Sequence, residues 1–259
     1  MLGGIIGAQY FHGIPFVVLF GIISALSLWE YAGIVFPDSD VFHKLATAVI
    51  GLLPYVFLGL YHLNCPGSCL PAILYASMIA TFMLFTSELY AQSEVPFRNV
   101  GMVLLGAIYV GLPFVLLNLI AYESGTYDYR TVLGLTLLTW TNDTAAYILG
   151  KRFGKTPLMP KISPKKTWEG SVGGAFFTFL SAWGLSELFS NLLLFDWLVL
   201  GVLVVVFGSY GDLVESMLKR SYNIKDSGKL LPGHGGVLDR FDAFIYMLPF
   251  AATYLLWIR

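Results

Sequence analysis

Charge is scarce in this chain: Asp, Glu, Lys and Arg make up 12% of its 259 residues, about half the roughly 25% of a soluble globular domain. With 57% of residues hydrophobic, a soluble fold is excluded. The few charges nearly cancel, 15 basic against 16 acidic for a net charge of -1. No global basic field exists to draw nucleic acid, and no acidic excess points to disorder. Cysteine is down to two residues, Cys65 and Cys69, in the connection Asn64-Cys65-Pro-Gly-Ser-Cys69. Structural zinc takes four ligands, so one local disulfide across a Pro-Gly turn, or two free thiols, is what these residues can supply. Also absent are a basic n-region with a cleavage site, a repeat of solenoid period, a low-complexity tract, and the inverted symmetry of transporters.

What the chain has instead is long apolar runs. A hydrocarbon core about 30 Å thick needs roughly 20 apolar residues per helix. Eight runs reach that length: Ile14 to Phe36, Leu45 to Leu63, Cys69 to Tyr90, Val100 to Tyr122, Thr131 to Gly150, Gly170 to Ser190, Leu193 to Leu218, and Phe241 to Ile258. The expected fold is an all-α polytopic membrane protein of about eight transmembrane helices. Met1 to His12, too short to span, is expected to be a stub or interfacial segment. The 27 glycines and 16% aromatics fit helices packed through small residues and anchored by rings at the lipid interfaces.

Alternate connections share a side, and Lys44, Arg98, Lys151, Arg152, Lys155, Lys161, Lys165, Lys166, Lys219, Arg220, Lys225, Lys229 and Arg240 all fall on one. The positive-inside rule makes that side cytoplasmic. Through Tyr122 the chain is nearly featureless apolar helix, whereas Thr131 onward holds most ionisable groups. Residues 1–122 are therefore expected to form a transmembrane scaffold and residues 123–259 a catalytic region, its polar site at the cytoplasmic side of the C-terminal helices.

The densest polar segment runs from the seventh helix to the eighth. At 3.6 residues per turn, Asp212, Glu215, Ser216 and Lys219 share about one helix face. Asp239 and Asp242 open the next helix at i and i+3. Carboxylates embedded in a span are costly and mark function by default. Oxygen ligands from Asp suit Mg²⁺, which completes its shell with waters and substrate phosphates. Lys219, Arg220, Lys225 and Lys229 can then neutralise phosphoryl oxygens. Between the acidic pairs, Pro232-Gly-His234-Gly235-Gly236 supplies flexible backbone whose N–H groups can form an anion nest. Together these features point to metal-assisted nucleotidyl or phosphoryl transfer at a membrane surface.

A second block, Ser163-Pro164-Lys165-Lys166, reads as a helix start with Ser163 as N-cap and Pro164 at N1. Two lysines beside a helix N-terminus make a phosphate site; the alternative is a positive-inside anchor. Asp143, inside the fifth run, is assigned a polar site role over a structural one with Asn142 or Thr144. Gly150 to Thr156 has three residues between its glycines where a P-loop has four, and it follows a span. Gly170, Gly173 and Gly174 are expected to be helix-packing positions. His12, His43 and His62 have no metal-ligand spacing and are expected to be interfacial or structural.

From Ser216 to Asp242 the sequence resembles the signature of phosphatidate cytidylyltransferases (CDP-diacylglycerol synthases): Ser-x-apolar-Lys-Arg, four residues, Lys-Asp-x-Gly, two residues, Leu-Pro-x-His-Gly-Gly-apolar-x-Asp-Arg-apolar-Asp. Thr139-Trp-Thr-Asn-Asp143-Thr-Ala-Ala-Tyr147 with Gly150 and Phe153-Gly154-Lys155, and Ser163-Pro-Lys165-Lys166-Thr-Trp168-Glu169-Gly170, look like two further blocks of that family. The resemblance is strong in the C-terminal half and extends to the N-terminal half as a helical layout. At the amino end the family begins with a basic residue and a complete extra helix, where this chain has Met1 to His12.

The resemblance implies that CTP, phosphatidic acid and Mg²⁺ give CDP-diacylglycerol and pyrophosphate, in a bacterial cytoplasmic membrane and in a homodimer. Asp212 and Asp239 are assigned as principal metal ligands, with Glu215 and Asp242 in support; a second cation, a monovalent one included, is left open. Asp143, Lys219 and Arg220 join them as catalytic groups. Ser163, Lys165, Lys166, Ser216, Lys225, Asp226, His234, Gly235, Gly236 and Arg240 are assigned to substrate binding. The competing readings are a CTP-dependent lipid-alcohol kinase, a CDP-archaeol-type synthase and, outside enzymes, an ion-coupled transporter.

Overall fold

The computed structural model describes residues 7, 13–37, 40–64, 69–228 and 235–259. The Met1 to His12 stub apart from Gly7, Cys65 with the side chain of Cys69, Lys229 and His234 lie outside the described residues. Two units divide the chain, residues 1–122 with 226–240 and residues 123–225 with 241–259.

The first unit is built on α1 (Gly13–Val35), α2 (Val41–Asn64), α3 (Cys69–Ala91) and α4 (Pro96–Ala121). Along α1, Phe16, Phe20, Ile23, Leu28 and Tyr31 are buried, while Ile14, Val18, Ile22 and Trp29 on the other face are exposed. Both faces are apolar. A helix hydrophobic all round suits a lipid surround rather than water. Close approach is made through glycine: a methyl on Gly51 would lie 2.6 Å from Leu28, and one on Gly111 would strike the Gly51 carbonyl.

His43 is buried in this unit, its Nδ1 at 2.6 Å from the Asp40 carboxylate and its Nε2 against Glu88. Asn99 in turn donates to Glu88 at 3.3 Å, so the imidazole ties α2 to α3 and the Glu88 carboxylate ties α3 to α4. The ring of His62 stacks on Tyr122 at 4.1 Å. Both histidines have the structural role expected of them.

The second unit holds α5 (Tyr129–Phe153), a two-stranded antiparallel hairpin of β1 (Pro157–Met159) and β2 (Ser163–Thr167), α6 (Trp168–Leu188) and α7 (Leu194–Ser221). Its final helix, α8 (Leu238–Ile258), begins in the residues assigned to the first unit. Asp128 caps α5 by accepting the Arg130 N–H at 2.9 Å. The α5–α6 pair packs through small residues, as expected of these glycines. A methyl on Gly170 would lie 2.7 Å from the Ala146 carbonyl and one on Gly174 2.9 Å from Asn142.

The hairpin corrects the sequence reading of Ser163. It is a strand residue paired with Met159, not an N-cap, and the helix starts five residues later. Thr167 caps α6 by accepting the Gly170 N–H at 3.2 Å. Both Ser163 and Thr167 can cap; the local pairing of β1 with β2 consumes the first and leaves the second at the helix boundary.

Among the described residues, five helices are long and apolar enough to cross a membrane: α1, α2 (over Val41–His62), α4, α7 and α8. The protein is an integral membrane protein. Three apolar helices contain a π-helical turn, at Ala107–Gly111, Val204–Gly208 and Tyr254–Ile258.

Candidate functional site

In the second unit, α7 carries Asp212, Glu215 and Lys219 at i, i+3 and i+7. The Asp212 carboxylate pairs with Lys166 Nζ from β2, and Glu215 pairs with Lys219 at 2.7 Å. The side chains of Lys166 and Asp212 are 29% and 27% exposed, against 2% for Glu215, so the first pair can be reached by solute and the second cannot. Successive strand residues point to opposite sides. Lys166 accordingly meets Asp212 while its neighbour Lys165 is exposed.

Two further carboxylates join this group. Asp242, buried on α8, adjoins the carboxyls of Asp212 and Glu215. Asp143 on α5 lies within electrostatic reach of Asp212 and Lys166. Asn142 donates toward Asp143 at 3.5 Å and accepts from the Thr178 hydroxyl at the same distance. Four carboxylates thus face two lysines, and a divalent cation would balance the excess negative charge. Among the described residues no three of these groups form a ready-made metal cage. The donor set still fits Mg²⁺, which takes one or two carboxylates and completes its octahedron from water and phosphate oxygens.

The hairpin that presents Lys166 is fastened by Glu169 in the first turn of α6. Its carboxylate accepts the Lys155 and Thr156 N–H groups, each at 3.1 Å, and the Thr156 hydroxyl at 2.9 Å. The Lys155 backbone bond, followed by those of Glu169 itself and Thr156, holds the Glu169 carboxyl at about 2, below the usual carboxylate range.

Asp239 is found in the first unit. Its Oδ2 accepts the Ser227 N–H at 3.1 Å and the Gly236 N–H at 2.8 Å. Gly235 turns the chain beside it with φ +79°, a left-handed conformation suited to glycine. Of the expected anion nest, Pro232 to His234 lie outside the described residues, and the Gly236 amide donates to a carboxylate of its own chain. Sequence reasoning missed one partner of this segment. Glu30, 4% exposed on α1, accepts the Leu238 N–H at 2.8 Å and the Ser227 hydroxyl at 3.2 Å. An acidic residue within an apolar run was the signal that could have found it.

The other assigned residues are more peripheral. Arg220 is exposed and donates to the Ile224 carbonyl at 3.1 Å; Ser216 is half-buried on α7. Lys225, Asp226 and Arg240 are exposed.

Residues 1–258 match the sequence model of the Cytidylyltransferase family. The chain is similar to a phosphatidate cytidylyltransferase of Staphylococcus aureus (strain COL), 38% identical over 186 residues, which cover 71% of this chain and 70% of the relative. A Staphylococcus saprophyticus protein of the same name is 37% identical over 194 residues, covering 74% and 73%. One from Staphylococcus epidermidis (strain ATCC 12228) is 40% identical over 171 residues, covering 65% and 64%.

Proposed function

The chain belongs to the cytidylyltransferase family, and from that premise we propose that it transfers the cytidylyl group of CTP to phosphatidic acid, giving CDP-diacylglycerol and pyrophosphate. The observation that carries the reading is the reachable Lys166–Asp212 pair set among three further carboxylates. A phosphatidate oxygen forms a bond to the α-phosphorus of CTP, and the bond from that phosphorus to the oxygen bridging the β-phosphorus breaks. The departing pyrophosphate keeps that electron pair. A phosphate monoester has its second pKa near 6, so the nucleophile is largely ionised at neutral pH and no strong base is required. Positioning and charge stabilisation are then the main tasks of the protein.

In this reading Asp212 and Asp239 are the principal ligands of Mg²⁺, with Glu215, Asp242 and Asp143 in support. Mg²⁺, when bound, offsets charge on the phosphoryl oxygens. Lys165, Lys166, Lys219, Arg220 and Lys225 neutralise phosphates, and His234, Gly235, Gly236 and Arg240 contact substrate. The α3, α5 and α6 helices join the five apolar ones to give eight spans, with the lysine-rich connections on the cytoplasmic side of a bacterial inner membrane. A homodimer follows from the family resemblance alone.

Purified protein given α- or γ-labelled CTP with phosphatidate and Mg²⁺ tests the proposal. Label entering lipid from the α position, with release of pyrophosphate, is the expected result. Label entering from the γ position would make the protein a kinase, and label in neither case would overturn transfer altogether.

A further inference from the structure

Glu30 is an acidic residue in the middle of the first apolar run, 4% exposed. A carboxylate buried in a span is costly unless it is put to use. Its use is visible in its contacts. One oxygen accepts the Leu238 N–H at 2.8 Å and the Ser227 hydroxyl at 3.2 Å. Leu238 is the first residue of α8, where backbone N–H groups lack partners within the helix. A side chain of α1 therefore caps a helix that starts 208 residues away in sequence.

Ser227 is held twice, through its hydroxyl by Glu30 and through its N–H by Asp239. Asp239 also takes the Gly236 N–H. The two carboxylates together pin residue 227 at one end of the segment and residues 236 and 238 at the other. The second oxygen of Glu30 has no hydrogen-bond partner among the described residues and lies against Gly228, where a methyl would sit 2.5 Å from it. Gly228 and Gly236 both pack against this side chain.

We propose that Glu30 is a positioning residue of the transfer reaction, a clamp that ties Ser227 to Leu238 and so sets the place of Gly235, Gly236 and Asp239. This rests on the functional reading above. Glu30 acts through the loop and touches no reacting atom, so its removal raises the KM for CTP more than it lowers kcat.

Three variants and two readouts test the clamp. Glu30→Ala removes both contacts, and the KM for CTP rises about tenfold, the scale of losing a charge-assisted hydrogen bond. Glu30→Gln keeps an amide oxygen as acceptor and stays within about threefold of the wild type. Amide hydrogen exchange of residues 226–240 rises in the alanine variant, stays near wild type in the glutamine variant, and is unchanged over α5 and α6 in both. Should the alanine variant fail to accumulate, Gly228→Ala carries the same test, because its methyl displaces the carboxylate without deleting it. Wild-type exchange over residues 226–240 in Glu30→Ala, or raised exchange with unchanged KM, overturns the proposal. A wild-type protein that makes no CDP-diacylglycerol overturns the functional reading instead, and the exchange measurement still reports on the clamp.

Discussion

In the unit built on α1 to α4, Glu30 and Asp239 direct their oxygens to the backbone N–H groups of Ser227, Gly236 and Leu238. In the unit built on α5 to α7, Asp212 and Glu215 face the ammonium groups of Lys166 and Lys219. The residue types are alike and the partners are not. A backbone amide is fixed in place, so a carboxylate that accepts from it anchors the chain. A lysine ammonium sits on a flexible four-carbon stem, so in the proposed reaction it would leave the carboxylate for a phosphate as a cation took its place. One set of acids anchors backbone; the other faces mobile ammonium groups.

Neutralising one acid from each set is the sharpest way to break this contrast. Asp212→Asn is expected to cost about 10²–10³-fold in kcat, the scale of removing one element of charge stabilisation, with expression and melting temperature near those of the wild type. Asp239→Asn keeps an oxygen able to accept from Ser227 and Gly236. If Asp239 also binds metal, activity falls comparably while exchange of residues 226–240 stays low. Full activity in Asp239→Asn would place it wholly among the anchors.

A smaller effect separates the two neighbouring lysines. Lys166→Ala is expected to raise the KM for CTP or phosphatidate about tenfold, because it removes the ammonium beside Asp212, and Lys165→Ala by less. Steady-state kinetics with each substrate varied in turn check this. Unchanged kinetics in the double variant would make both residues membrane-side anchors and remove lysine exchange from the comparison.

The smallest effect concerns Glu169, an anchoring carboxylate in the unit of the lysine-paired acids. Its folded pKa, about 2, lies below the unfolded value of about 4.3. Its stabilisation is therefore complete above the unfolded pKa and is lost as pH falls through the folded one. Glu169→Gln should flatten part of the decline in melting temperature between about pH 4 and pH 2, with little change at neutral pH. A decline identical to that of the wild type would remove Glu169 from the anchors.

The apolar runs placed the long helices because lipid-facing and core-facing residues are both hydrophobic, and run length alone then marks an element. The hairpin was illegible for the opposite reason. Pro157 to Thr167 is short and polar, has no periodicity to read, and offers two capping residues, Ser163 and Thr167, of which only pairing decides the first. Asp212 and Glu215, and Asp242 with Asp239, were legible as acids at helical spacing beside or within apolar runs. Glu30 obeys the same rule, but it is alone in its run and its partners lie about 200 residues away. A solitary acid gives no spacing from which to infer a partner.

The π-helical turn at Val204–Gly208 in α7 holds one residue more than the α-helical turn it replaces. Each residue advances a helix by about 100°, so every side chain from Ser209 to Ser221 is set round the axis by that angle. Asp212 meets Lys166, and Glu215 adjoins Asp242, in that phase. Winding residues 204 to 208 as uninterrupted α-helix, with none removed, would keep every acid and every lysine and swing Asp212 about 100° away from its partner, whereas deleting one of them leaves an α-helical turn and the same phase. A substitution in this featureless apolar stretch that removes the π-helical turn is therefore a mutation of the candidate site, although no residue of the site is altered.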